Sequence, residues 1–139
     1  MKRRICVRGV IEKDGKIFCV RQKHHDGSIN NFWCIPGGGL EANESLQDGL
    51  DRELIEELGV KPEIGELLTV QQYSDDGGEF IEFFFKILNY DDYSSIDLLK
   101  TSHGELELVE YGFVDPKNTY ILPDFIKDYP KIKKLYSYL

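Results

Sequence analysis

Glu53, Glu56 and Glu57 stand at i, i+3 and i+4, a spacing that sets carboxylates side by side on a helix. Like charges so placed destabilise a helix by about 0.2–0.5 kcal/mol per pair. Around them Leu46, Leu50, Leu54 and Leu58 recur every fourth residue and form an apolar stripe. At about 100° per residue, Glu53 and Glu57 fall beside Leu46 and Leu50, with Glu56 on the next column and Arg52 flanking it. A merely solvated acidic face would lie opposite the leucines. These acids border them, where an unpaired carboxylate costs far more. A divalent cation removes both the repulsion and the desolvation cost, and hard oxygens at this spacing suit magnesium or manganese.

The helix is fed by Pro36-Gly37-Gly38-Gly39, read as a tight glycine turn whose backbone can approach a metal or a phosphate closely. Asn43 or Ser45 can cap the helix start, and Gly59 can end it in a left-handed cap. Clustered carboxylates with a divalent ion suit attack by water on phosphorus.

The same stretch resembles a known family. The pattern G-x5-E-x7-R-E-U-x-E-E-x-G-U, with U aliphatic, is the box of the Nudix (MutT-like) hydrolases. Here Gly38, Glu44, Arg52, Glu53, Leu54, Glu56, Glu57, Gly59 and Val60 supply it without a gap. Gly49 departs from the alanine more usual in that helix, at a cost of up to about 1 kcal/mol. The resemblance implies hydrolysis of a pyrophosphate bond in a nucleoside diphosphate linked to another moiety. It implies an α/β/α sandwich with a central mixed sheet, the box forming a loop–helix–loop. It makes Glu53 the general base or base-side ligand, and Glu56 and Glu57 the principal metal ligands, with the Gly37 carbonyl adding another. Arg52 would hold a glutamate by charge-assisted hydrogen bonds, with Glu44 and Gly38 supporting. In many members the base lies outside the box. Glu105, Glu107 and Glu110 are the candidates here, Glu107 ahead because it heads the strand ending at Val114.

A chain of 139 residues is expected to form a single domain over 1–139. The net charge of −8 opposes a nucleic-acid duplex or an anionic membrane as partner, but allows a small nucleotide reached through metal ions. No apolar run approaches a membrane span and no signal peptide precedes the first strand pattern. Cys6, Cys19 and Cys34 sit in apolar runs and read as buried thiols of a reducing cytoplasm. A monomer or a homodimer fits equally.

Strand patterns cover residues 3–11 and 16–21, with Asp14-Gly15 as a hairpin turn. A loop over 22–31 holds His24 and His25, and a short strand from Phe32 to Ile35, holding Trp33 as core, enters the glycines. A second hairpin joins 67–73 to 80–87 around Asp75 to Gly78, and Phe83-Phe84-Phe85 lacks alternation, as in a strand covered on both faces. A long polar connection, 89–104, precedes a strand at 106–114. A helix starts at Leu122-Pro123-Asp124, and Pro130 breaks it before a last segment, 132–139. For the substrate, Arg3, Arg4, Arg21 and Lys23 are candidates to meet phosphates, and Tyr73 or Phe80 to stack on a base. The rival reading is a domain that senses a nucleotide without hydrolysing it, although such a domain would be free to lose Glu53 or Glu57.

Overall fold

A computed structural model describes residues 2–24, 26–128 and 136–137. The elements follow as β1 (Arg3–Val10), β2 (Glu12–Lys13), β3 (Lys16–Gln22), β4 (Trp33–Cys34), β5 (Gly37–Gly39), α1 (Leu46–Leu58), β6 (Ile64–Asp75), β7 (Gly78–Ile87), α2 (Gly104–Glu107), β8 (Leu108–Val114), β9 (Ile121–Leu122) and β10 (Tyr136–Ser137), with short 3-10 helices at Tyr90–Ser95, Leu98–Lys100 and Asp124–Asp128. One mixed sheet runs β10-β6-β7-β1-β5, and a second runs β2-β3-β4-β9 with β8 on β3.

Period-two alternation builds the layers. Val7, Phe18, Val20, Phe85 and Ile87 pack under Leu50, Leu54 and Leu58 of α1. Their strand neighbours Val10, Ile17, Cys19 and Phe84 belong to a second cluster with Ile126, against which Phe125 and Trp33 pack. Strands thus lie between the box helix and the 3-10 turn near the C-terminus, the α/β/α arrangement expected. The three phenylalanines are covered on both faces, with Phe83 and Phe85 in one cluster and Phe84 in the other. All three cysteines are free and buried. Among the described residues no helix is long and apolar enough to cross a membrane.

Several expectations are corrected. The Asp14-Gly15 turn joins β3 only to the two-residue β2. β1 leaves for the other sheet, pairing in parallel with β7 and antiparallel with β5. The glycines are no free turn: Gly37–Gly39 form β5, and Gly37, at φ 146°, sits where the Val7 carbonyl leaves no room for a Cβ. Ser45, not Asn43, caps α1, its Oγ accepting from the Asp48 N–H at 3.0 Å. Asn43 instead takes a positive φ of 64° in the preceding turn. Gly59 ends the helix as a left-handed cap (φ 77°) donating to the Ile55 carbonyl. The long connection is folded into 3-10 turns, and Tyr93 from it is buried against Phe18, its hydroxyl donating to the Val60 carbonyl. The strand expected at 106–114 begins only at Leu108, because α2 precedes it and leaves Glu107 as the last helical residue. The segment after Pro123 is a 3-10 turn over its described length. His25, Pro130 and, apart from the backbone of 136–137, the segment 132–139 lie outside the described residues.

Candidate active site

The helix face that carries the acids meets the glycine strand at the edge of the first sheet. A cavity of about 330 Å³ opens there, lined by Gly37, Gly38, Gly39, Glu53, Glu56 and Glu57 from the box, by Arg4, Cys6 and Arg8 from β1, and by Gln22, Tyr73, Phe80, His103 and Glu107. The Glu53 carboxylate lies against Gly38, 2.6 Å from where a Cβ would stand, so a side chain there would have to push it aside. At Gly104 a Cβ would fall 2.1 Å from the Glu57 carbonyl oxygen, so glycine lets the start of α2 rest on that backbone, which brings Glu107 to the rim.

Arg52 ties the box together. Its Nε and Nη2 donate to the two oxygens of Glu44 at 2.8 and 3.0 Å, and Nη2 also donates to the Gly39 carbonyl at 3.0 Å. Nη1 reaches Glu53 at 3.1 Å and Glu56 at 3.2 Å. The planar fork therefore grips Glu44 with two bonds while its third nitrogen orients two other acids. Hydrogen bonds from Arg52 and from the Glu41 backbone N–H hold the Glu44 carboxyl below its ordinary range.

Glu57 is the exception in this network. It is 3% exposed, and its Oε2 is buried with no hydrogen-bond partner. Burial, then the nearby Glu53 and Glu107 carboxylates, push its pKa up to about 8. Burial also raises Glu53, reinforced by Glu56 and Glu107 and opposed by Arg52. An unsatisfied buried carboxylate oxygen costs about 1–3 kcal/mol or more, and the two neighbouring acids, Glu53 and Glu107, raise that cost. A divalent cation fits this donor set because it satisfies the orphaned oxygen and neutralises the acids at once. Among the described residues, no three acidic, His or Cys side chains already stand as a complete ligand set. Arg52 holds one oxygen each of Glu53 and Glu56 in its hydrogen bonds.

Glu44, Arg52, Glu53, Glu56, Glu57, Gly37, Gly38, Tyr73 and Glu107 thus meet at or beside one cavity. Arg21 and Lys23 do not. Arg21 donates to the Asn30 carbonyl and pairs with Glu110 at 2.9 Å, and Lys23 bridges to Ile29 across the loop. Glu110 is thereby occupied as well. Gln22, between them in sequence, is the residue of this stretch that lines the cavity. The side chain of Glu105 lies outside the described residues. Sequence reasoning missed Arg8, Gln22 and His103. Arg8 is held by Glu82 and by the Ile35 carbonyl, and His103 approaches Glu56 at 3.7 Å. The signal for Arg8 was present in the period-two row Arg4, Cys6, Arg8, which places charge on one face of a strand whose other face is Ile5 and Val7. His103 carried no such signal.

The NUDIX domain model matches residues 2–135. The chain belongs to the Nudix hydrolases. It is 30% identical over 138 residues to an ADP-ribose pyrophosphatase of Methanocaldococcus jannaschii, covering 95% of this chain and 72% of that protein. It is 28% identical over 125 residues to the nucleoside triphosphatase NudI of Escherichia coli, covering 85% of this chain and 86% of that one. Among solved structures, the MutT protein of Methanosarcina mazei superposes with a TM-score of 0.70 at 22% identity, over 91% of this chain and 88% of that one. A UDP-X diphosphatase superposes at 0.66 and 23%, over 92% and 59%. The chain is accordingly a Nudix pyrophosphohydrolase, of a family acting on nucleoside diphosphate derivatives.

Proposed function

We propose that this Nudix domain hydrolyses a pyrophosphate bond in a nucleoside diphosphate linked to another moiety, giving a nucleoside monophosphate and a phosphorylated product. The buried, unpartnered Glu57 oxygen at the floor of the acidic cavity carries this reading. Glu56, Glu57 and the Gly37 carbonyl would hold magnesium or manganese, with Glu53 at their side. The ion, when bound, lowers the pKa of water and neutralises phosphate charge.

The residues divide the remaining work. Glu53, whose pKa is raised mainly by burial, takes the proton of the attacking water, because a base tuned towards neutrality both accepts and returns a proton readily. Arg52 is a positioning residue: through Nη1 it aims Glu53 and Glu56, and through Glu44 and Gly39 it anchors itself to the loop. Glu107 borders the water's approach from α2 and adds negative charge that keeps Glu53 basic. Tyr73 offers a ring to the substrate from β6. The bare glycine strand lets a phosphate lie against backbone.

A hydrolysis screen over nucleoside diphosphate sugars, dinucleoside polyphosphates and nucleoside triphosphates tests the proposal. Activity with magnesium or manganese, abolished by chelator, is the expected result. A protein that binds nucleotides tightly but hydrolyses none with either ion would be a sensor and would refute it.

A further inference from the structure

The cavity has two ends of different chemistry. On the face of the first sheet that opens into it, register sets Tyr73 opposite Phe80 and Phe80 opposite Arg4. The rings of Tyr73 and Phe80 stack with centroids 4.9 Å apart and planes 14° from parallel. Next in the row, the Arg4 guanidinium fills the space a side chain on Gly39 would need, so it leans from the rings towards the box. Arg3 pairs with Glu79, Arg8 with Glu82, Arg21 with Glu110 and Arg52 with the box acids. Among the described residues Arg4 makes no ion pair or hydrogen bond. A guanidinium set between the glycine strand and a stacked aromatic pair, in a cavity that also holds the acids, is a complementary surface for an aromatic anion.

Resting on the reading of this cavity as the hydrolytic site, we propose that the row fixes the polarity of the bound substrate. The nucleobase lies on the Phe80–Tyr73 slab, Arg4 takes the nucleoside-side phosphate, and the bond to be cleaved lies over Gly38 at the carboxylates. From β5 to β7 is two strand spacings, roughly 10 Å, which accommodates a ribose 5′-phosphate between base and scissile bond. The other wall, Gln22 and His103, is polar and suits the second moiety. Base–aromatic stacking tolerates any base, so this row selects a nucleotide over a sugar phosphate while leaving the choice of base open.

Binding of AMP and of ribose 5-phosphate to the full chain, in the presence of chelator, tests the assignment. AMP should bind at least about tenfold more tightly, the strength of one stacking contact. Phe80→Leu and Tyr73→Leu should each erase most of that preference while leaving ribose 5-phosphate unchanged, and Arg4→Gln should weaken both ligands alike. In the unaltered protein, AMP but not ribose 5-phosphate should shift the ring-proton NMR signals of Tyr73 and Phe80, a readout independent of any variant's folding. Equal binding of the two ligands, unmoved ring signals, or an Arg4→Gln protein that binds both as before would each overturn the proposal. None of these readouts involves turnover. AMP binding as expected in a chain that hydrolyses nothing would therefore sink the hydrolase assignment and keep this one.

Discussion

Glu57 and Glu82 are equally buried, each 3% exposed, and both border the same group of charges, yet they are opposites. Glu82 accepts from Arg8 Nε at 2.5 Å, and Arg8 also donates to the Ile35 carbonyl. Although burial disfavours its charge, the Arg8 guanidinium is held ionised beyond its ordinary range by Glu82. Glu57 has an oxygen with no partner, acids for neighbours, and a pKa near 8. The first is a completed ion pair that fastens β1 to β7 and to the loop before Gly37. The second is an incomplete site, kept uncomfortable by the fold around it. A buried charge therefore becomes informative about function only after its partners are counted.

Removing each charge should separate the two. Glu57→Gln keeps the shape but loses the charge proposed to hold the metal, and turnover should fall by orders of magnitude. The ion-free protein should melt no lower than wild type, and higher near pH 8. Glu82→Gln should do the reverse for stability, because it leaves the part-buried Arg8 without its counter-charge, a loss below the roughly 3–5 kcal/mol of a fully buried pair that denaturant unfolding would measure. If both variants were destabilised alike, the contrast would fail.

A smaller effect sharpens the role of Arg52. Arg52→Lys keeps the charge but cannot grip both Glu44 oxygens and reach Glu53 and Glu56 together. Steady-state rates at saturating metal should drop at least about tenfold, roughly 1.4 kcal/mol on the barrier, with melting nearly unchanged. A lysine variant as fast as wild type would make Arg52 a surface counter-ion.

A further effect is in pH. The folded-state pKa of Glu57, about 8, lies above its ordinary value of 4.5, so the folded chain binds a proton that the unfolded chain releases. That contribution is complete below about pH 4.5 and is lost as pH rises through 8. Thermal melts of the ion-free protein should fall from pH 5 to pH 9, and Glu57→Gln should flatten much of that slope. Glu53, also raised, accounts for part of the remainder.

Local chemistry was legible in the sequence wherever it depended on neighbours along the chain. The spacing of Glu53, Glu56 and Glu57, the leucine stripe and the Gly59 cap all appear where periodicity puts them. Register across the sheets was not legible. β1 meets β7 from more than seventy positions away, so the row Arg4, Cys6, Arg8 was visible but not what it faces, and Arg21 and Lys23 could not be told from Gln22, the residue between them that lines the cavity. Gly49 shows the same limit on a smaller scale. Its cost to the helix is readable, but its reason is that Leu40 from the preceding loop occupies the space of a Cβ.

Proton release on metal binding tests the central claim most directly, that the unpartnered Glu57 oxygen receives a divalent ion. A carboxyl titrating near 8 is mostly protonated at pH 7 and must give up its proton to become a ligand. Calorimetric titration with magnesium or manganese in buffers of different ionisation enthalpy counts those protons. Close to one proton released per ion at pH 7, vanishing by pH 9 and absent in Glu57→Gln, is the predicted result. Metal binding that releases no proton at pH 7, or the same number with and without the Glu57 carboxylate, would contradict it.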